Sequence, residues 1–258
     1  MKLKLIKSIA LLLLFALSFQ SCKKEETKST NTPGYPDLTG CKVTRFYEGD
    51  GDTRITYNAN GTIAKIEEYQ SGELMNTNTY TYETGMARYS NTSGREKGDY
   101  VLNSSGRVTS SIIVYYQAQD PTTATSGVMT TYKYNSDGNL IEKQDEYNSS
   151  AGKTNYLTTY TWNNGNLMKE VEIGNNNNIN IIEYEYYTDK SNALAGTDAA
   201  MDFTGVQSKN LPKSQKDGES GLTIVNFTYE FNSSGKPTKL IYEEDGNKDE
   251  INLEMTCP

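Results

Sequence analysis

Apolar and polar residues alternate along much of the chain. Val225, Phe227, Tyr229 and Phe231 share one parity, and the residues between them are polar. The same rhythm returns from Ile251 to Cys257. A period of two residues is typical of a β-strand with one face buried and the other in water. The pattern therefore predicts strands rather than helices.

One phrase recurs along the chain and joins these strands. It runs Tyr-x-Tyr-Asn, then a short turn with glycine, then leucine, isoleucine or valine. Tyrosine and threonine suit a pleated, half-buried surface, whereas asparagine and glycine supply the left-handed backbone of a tight turn. Each copy therefore predicts a strand, a turn and a second strand. Copies begin at Thr56, Tyr80, Tyr100, Tyr132, Tyr160 and Tyr229.

Counting the runs between turn signals gives about fourteen to sixteen short strands joined by short loops. This arrangement predicts an all-β fold, an antiparallel up-and-down meander curled into a closed or nearly closed barrel. Two stretches interrupt the rhythm. Gln117 to Ser126 is predicted as a polar loop, and Asp189 to Pro212 as a longer segment with a helical turn or two.

The N-terminus has the pattern of an export signal. Lys2, Lys4 and Lys7 precede an apolar run that is too short to span a bilayer, and Cys22 follows at a processing site. The residues before Cys22 resemble a bacterial lipobox, which implies cleavage after residue 21 and lipidation of Cys22, so that a membrane is the first partner. An ordinary secreted protein with a chance cysteine is the alternative.

The predicted domain organisation has three parts. Residues 1–21 form the lipoprotein signal peptide, and residues 22–40 a flexible tether that is too polar to fold alone. Residues 41–258 form the repetitive β domain. The charge cluster Lys23-Lys24-Glu25-Glu26 resembles the surface-export signal of Bacteroidota lipoproteins, although a solvated charge run at a flexible terminus explains it as well.

The recurring phrase resembles the YD repeat of Rhs and toxin-shell proteins. From Cys41 to Cys257, the chain is more similar to a Bacteroidota lipoprotein family of unknown function with a porin-like β fold. This chain departs from true YD repeats, since asparagine stands where the signature aspartate belongs and Gly106-Arg107-Val108 alone keeps the Gly-Arg step. The resemblance implies an outer-membrane lipoprotein exposed at the cell surface.

Composition excludes several functions. The chain has 25 basic and 33 acidic residues, and without the three leader lysines the balance is 22 to 33. Such an acidic protein repels phosphate backbones, so nucleic acid is not an expected partner. The chain has no histidine, which removes Ser-His and Cys-His nucleophile chemistry and imidazole metal sites. We therefore expect a binding or scaffold module rather than an enzyme.

Cys41 and Cys257 form an even pair once Cys22 is lipidated, in an oxidising compartment. In a closed meander with an even number of strands, the start of the first strand lies opposite the end of the last. The sequence therefore predicts a disulfide between Cys41 and Cys257. Two unpaired cysteines on an open sheet are the alternative.

The predicted binding residues are aromatic. Trp162, with Tyr160 and Tyr134, could stack on a glycan, because flat rings with polar handles suit sugars. Packing within the sheet explains the same residues, and another envelope protein is an alternative partner. No cofactor is expected.

Two acidic turns, Glu48 to Asp52 and Asp245 to Asp249, have oxygens at alternate positions as in calcium sites, but polar hairpin turns also explain them and no metal is assigned. The alternative function is a carboxylate-dependent glycosidase-like enzyme. Its two acids cannot be assigned from the sequence, because acids such as Glu183 and Glu185 are expected on wet strand faces.

Overall fold

A computed structural model describes residues 41–117, 120–195, 197, 203–204 and 207–256. Sixteen antiparallel strands follow one another around a closed barrel, in which the first strand pairs with the last. The all-β fold, the strand number and the closure predicted from the sequence are confirmed. The predicted signal peptide, tether and lipidated Cys22 lie outside the described residues.

The first eight strands are β1 (Lys42–Glu48), β2 (Gly51–Tyr57), β3 (Ile63–Gln70), β4 (Glu73–Glu83), β5 (Met86–Asn91), β6 (Glu96–Leu102), β7 (Val108–Gln117) and β8 (Asp120–Tyr134). The second eight are β9 (Leu140–Ser149), β10 (Gly152–Asn163), β11 (Asn166–Ile173), β12 (Ile179–Ser191), β13 (Asn210–Asp217), β14 (Thr223–Phe231), β15 (Pro237–Glu244) and β16 (Asn247–Thr256). A 3-10 helix at Asn175–Asn177 joins β11 to β12. In the described part of the chain, no helix has the length and apolarity needed to cross a membrane.

The prediction of a loop between Gln117 and Ser126 is wrong, because β8 begins at Asp120 and pairs with β7 at Asp120, Ala124 and Ser126. Its threonines are β-branched and favour extended backbone. A proline at position 121 is tolerated near a strand start. The polar composition of the stretch reflects its exposure rather than a loop.

The asparagine of the repeat organises the turn in three of the copies. In the turn after β8, the Asn135 side-chain oxygen accepts hydrogen bonds from the amides of Asp137 and Asn139. Gly138 follows at a φ of 84°, in the left-handed region that favours glycine. The turns that begin at Asn103 and Asn232 repeat the same contacts. These turns gather at one end of the barrel, together with the chain termini of the domain.

A β-bulge follows most of these turns. The register skips one residue where a turn enters its outgoing strand, so that two residues oppose one on the partner strand. The extra residues are Thr44, Ala64, Thr109, Ile141, Met168, Lys213 and Thr238. Because side chains alternate between faces, each bulge reverses which parity of the strand points into the barrel.

An aromatic side chain closes the gap beside several of these bulges, and we call this contact the aromatic latch. A tyrosine or tryptophan in the second half of one strand donates a hydrogen bond to the carbonyl just before the bulge on the preceding strand. The pairs are Tyr57 to Val43, Tyr82 to Ile63, Tyr134 to Val108, Trp162 to Leu140 and Tyr186 to Leu167, at 2.6–2.8 Å. The latch explains why the copies at Thr56, Tyr80, Tyr132 and Tyr160 have a tyrosine or a tryptophan near the end of their first strand.

Removing one latch is expected to cost a single hydrogen bond. We predict that Tyr134→Phe, which keeps the ring, lowers the free energy of unfolding by about 1 kcal/mol, measured by urea denaturation. The matched control is Tyr116→Phe, since Tyr116 lies on the outside of β7 beside Lys97 and should change stability by less than about 0.5 kcal/mol. Equal effects of the two substitutions would contradict the latch.

The described residues between β12 and β13 lie inside the same end of the barrel, and we call these residues, 192–195, 197, 203–204 and 207–209, the plug. Its described residues Leu194, Thr197 and Phe203 are at most 2% exposed. The plug hydrogen-bonds to strands on different sides of the barrel. The Val43 amide donates to the Thr197 hydroxyl at 2.8 Å, the Val108 amide to the Phe203 carbonyl at 2.9 Å, and the Leu167 amide to the Ser208 hydroxyl at 2.9 Å.

These three amides belong to residues that the aromatic latches hold by their carbonyls. The plug and the latches therefore satisfy the backbone at three of the bulges together. The predicted helical turn is present in part, since Ala195 and Thr197 are helical. The hydrophobic core lies at the plug, where Leu194 packs with Leu211, Val225 and Phe227, and Phe203 packs against Ala87, Leu102 and Val108.

Candidate functional site

The inner wall of the barrel changes character from one end to the other. Near the plug it is apolar. Towards the opposite end, the register places carboxylates on the inward-facing side of many strands, and we call the space that they enclose the lumen. These acids are Glu48, Glu68, Glu96, Asp145, Glu170, Glu172, Glu244 and Asp249. Among the strand residues that the structure describes, Lys143 is the one basic residue that faces inward.

Six of these acids lie on strands in which a bulge brings them inside. On β11, Leu167 faces inward before the bulge at Met168, and Glu170 and Glu172 face inward after it, while Val171 points outward. The strand thus has apolar residues on the outer face and carboxylates on the inner one. A strand that follows simple alternation from its turn would show the reverse.

Tyrosines on neighbouring strands hold several of the acids. The hydroxyl of Tyr242 donates to Glu48 across the barrel seam at 2.8 Å, and the hydroxyl of Tyr89 donates to Glu96. Burial, and then the carboxylate bond, raise the pKa of both tyrosines above the ordinary range. The tyrosines therefore stay neutral donors to charged partners.

Lys143 is engaged by its own neighbour. Its ammonium lies 2.9 Å from Asp145, whose side chain is 5% exposed and accepts a 2.6 Å hydrogen bond from the Thr130 hydroxyl. Burial opposes the charge on Lys143, but the carboxylate outweighs it, so the pKa of Lys143 is raised. One acid thus neutralises the cation, and the remaining lumen acids leave the inner wall negative.

Glu170 is a lumen acid whose ionisation is opposed by burial. Burial raises its pKa from 4.5 to about 7. The Tyr184 hydroxyl donates to it and Lys143 lies nearby, and both favour the carboxylate, whereas Glu172 opposes it. Between pH 4.5 and 7 the folded protein therefore binds more protons at this site than the unfolded chain does, and its stability falls as the pH rises through this window.

We predict that Glu170→Gln stabilises the protein by about 1–3 kcal/mol at pH 8 and leaves it nearly unchanged at pH 4. The glutamine oxygen can still accept from Tyr184, and no charge is buried. Urea unfolding at pH 4, 6 and 8 measures the difference. Glu243→Gln, on the outer face of β15, is the control and should show no such trend. A variant that is less stable than the wild type at pH 8 would refute the prediction.

A cavity of about 500 Å³ opens in the lumen between β7 and β11, and we call it the tyrosine cavity. Three tyrosines, Tyr115, Tyr147 and Tyr156, form much of its wall, and Glu172 adds a carboxylate. Tyr147 and Tyr156 meet edge to face, with ring centroids 5.5 Å apart. Tyr115 and Tyr147 are 36% and 43% exposed, so a molecule in the lumen can reach their ring faces. Pockets of this size hold small ligands.

Two solved structures are similar in fold to this chain. The barrel is similar to a porin-like protein from Bacteroides uniformis, with a TM-score of 0.61 and 15% identity, over 88% of this chain and 100% of that one. A porin-like protein from Bacteroides vulgatus matches with a TM-score of 0.58 and 14% identity, over 83% and 98% of the two chains. The shared feature is the fold. No family model and no curated protein matches the sequence.

The structure brings the predicted binding residues to the plugged end rather than to the tyrosine cavity. Trp162 and Tyr160 pack together around Leu167 and Tyr184, and Tyr134 lies two strands away. The polar groups of Trp162 and Tyr134 donate the latch hydrogen bonds to the carbonyls of Leu140 and Val108. Their packing role is therefore evident in the structure, and glycan stacking on them stays a prediction.

Cys41 is disulfide-bonded. Its neighbour Lys42 pairs with Thr256, so the described strand ends meet at the position that the sequence predicts. Cys257 lies outside the described residues, and the bond between Cys41 and Cys257 stays a prediction.

The acidic turns show other roles. Asp52 binds Arg45 and Arg54, both at 2.7 Å, and the turn between β15 and β16 belongs to a simple hairpin. Among the described residues, no three acids or cysteines group as metal ligands. Glu183 and Glu185 lie on the outer face beside Lys169 and Lys216, as expected for wet strand positions.

Sequence reasoning missed the lumen acids and the cavity tyrosines as a site. Tyr156 shares its parity with the candidates Tyr160 and Trp162, but Tyr115, Tyr147 and Glu172 carry no local motif. The information that identifies this site is which strands are neighbours. Tyr147 pairs with Val128 on one side and with Thr154 on the other. Only the register shows that they share one cavity.

Proposed function

We propose that this protein is an outer-membrane lipoprotein, anchored through Cys22, which presents a barrel-shaped binding module at the cell surface. The single observation that carries the binding role is the lumen, in which exposed tyrosine faces and carboxylates line a cavity while the plug lies across the other end. Such a barrel receives a ligand from one side. A glycan or a segment of another envelope protein is the partner class.

The outer wall supports a barrel that stands in water and is held to the membrane by its lipid. Ion pairs cross the outer faces of strands around the barrel, among them Arg45–Asp52, Lys133–Glu142 and Lys239–Glu250. A charged side chain facing lipid costs about 2–4 kcal/mol at the bilayer midplane. A tether of residues 22–40 could extend about 60 Å, enough to hold the domain clear of the surface.

The absence of histidine from the chain supports binding over catalysis. A hydrolysis screen of the purified protein on oligosaccharides tests this choice. Specific turnover that one lumen Glu→Gln substitution abolishes would favour the glycosidase alternative.

We predict that Cys22→Ala moves the protein from the membrane to the aqueous phase, because the thiol that takes up the lipid is gone. Palmitate labelling and detergent phase separation measure the effect, and Cys257→Ala is the control that keeps the label. A Cys22→Ala protein that still takes up palmitate and sediments with membranes would refute the anchor.

Surface exposure has its own test. Protease treatment of intact cells should remove the domain, because its tether is accessible at the cell surface. Protection until the outer membrane is lysed would place the domain in the periplasm, with the anchor unaffected.

A further inference from the structure

The tyrosine cavity is lined by aromatic rings and by small polar side chains, and together these favour one class of ligand. The rings of Tyr115, Tyr147 and Tyr156 provide flat apolar faces, on which the C–H faces of a sugar ring can stack. Around them, Ser126, Ser149 and Thr154 provide short hydrogen-bonding groups. The cavity, at about 500 Å³, has room for one or two sugar rings.

The charged groups near the cavity are mostly acidic. Glu172 lines it, and the electrostatic neighbours of Tyr147 include Asp145, Glu172 and Lys143. Lys143 is engaged by Asp145, which leaves the carboxylate of Glu172 without a balancing ammonium on the described cavity wall. A concave wall that bears one sign of charge focuses its field and attracts ions of the opposite sign.

We propose that this cavity binds an amino sugar, with its protonated amine at Glu172 and its ring on Tyr156. The proposal rests on the proposed function, since it names the ligand class of the lumen. A carboxylate and aromatic faces together suit an ammonium group, by charge and by cation–π attraction. A neutral N-acetylated sugar offers the same ring without the charge.

Binding is measured by isothermal titration with the full-length mature protein in mild detergent at pH 7. The probes are glucosamine disaccharide and its di-N-acetylated form. We expect the amine form to bind about tenfold more tightly, which corresponds to about 1.4 kcal/mol. Spermidine, an amine without a sugar ring, should bind more weakly than the glucosamine disaccharide.

Two variants separate the roles of charge and ring. Glu172→Gln is expected to remove most of the preference for the amine and to leave binding of the acetylated form unchanged. Tyr156→Leu is expected to weaken both sugars. Glu243→Gln, on the outer wall, is the matched control and should bind as the wild type does. Far-ultraviolet circular dichroism and thermal unfolding confirm that each variant is folded.

The outcomes distinguish the inference from the proposed function. If both sugars bind equally and Glu172→Gln has no effect, the amino-sugar inference is overturned and a lumenal binding module stands. Spermidine binding as tightly as the glucosamine disaccharide would also overturn it, because the sugar ring would then contribute nothing. If the folded wild type binds none of the probes, the inference fails for this cavity.

Discussion

Loss of the disulfide at Cys41 is expected to lower the free energy of unfolding by about 4–5 kcal/mol. The predicted bond to Cys257 would close nearly the whole domain into one loop, which restricts the unfolded chain. It would also join β1 to β16, whose pairing at Lys42 and Thr256 closes the barrel. The variants are Cys41→Ser, Cys257→Ser and the double substitution.

If the two cysteines bond to each other, all three variants lose the same stability in urea unfolding under oxidising conditions, because either change removes the same link. Addition of a reducing agent should bring the wild type to their level. Two reactive thiols per chain in the denatured, unreduced protein would refute the pairing. So would a Cys257→Ser protein as stable as the wild type.

The substitution Phe203→Ala is expected to lower the free energy of unfolding by about 3–5 kcal/mol. The Phe203 ring is 2% exposed and packs against Tyr82 and Tyr100, with centroids 6.2 and 4.9 Å away. Alanine leaves a cavity in the plug, where the core of the barrel lies. Urea denaturation measures the loss.

Phe231→Ala is the matched control, because this ring is 37% exposed at the end of β14 and its removal should cost much less. Hydrogen exchange gives a second readout. The amides of Val43, Val108 and Leu167 bond to the plug, so they should exchange faster in Phe203→Ala while amides in the middle of β14 remain protected. Uniform loss of protection would show that the plug is not a separate unit.

The fold could be predicted from the sequence because each repeat contains the residues that determine its turn and its two strands. Asparagine fixes the turn, glycine supplies the left-handed residue, and the flanking strands alternate. Even strand pairing follows from the succession of hairpins. The prediction failed at 117–126 because the threonines and the single proline of this stretch are as common in loops as in exposed strands. The pairing with β7, which the sequence does not show, makes it part of a strand.

The inner wall could not be predicted, for a reason visible at β11. Alternation counted from Leu167 puts Lys169 and Val171 inside, but the bulge at Met168 puts Glu170 and Glu172 there instead. A bulge leaves no clear mark on composition, so a one-residue error in parity reverses the inner and outer faces. On β14 no bulge falls between Val225 and Phe231, and the apolar face identified from alternation is buried at Val225, Phe227 and Tyr229.

The aromatic residues illustrate the same limit. Trp162 and Tyr134 stand out in the sequence, yet the structure gives them bonds to Leu140 and Val108 at the bulges. The cavity uses Tyr115 and Tyr147, which look ordinary in the sequence. Whether a ring packs or remains reachable depends on its neighbours across the sheet, and these are not adjacent in the chain.

The latch between successive hairpins also bears on how such a barrel changes size over evolution. A repeat brings two strands and one turn, and the copies at Tyr80, Tyr132 and Tyr160 also bring the aromatic group that bonds to the hairpin before it. Gain or loss of one repeat therefore preserves an even number of strands, and the first and last strands still meet in opposite directions. Gene duplication can widen the ring one hairpin at a time, without ever leaving it open.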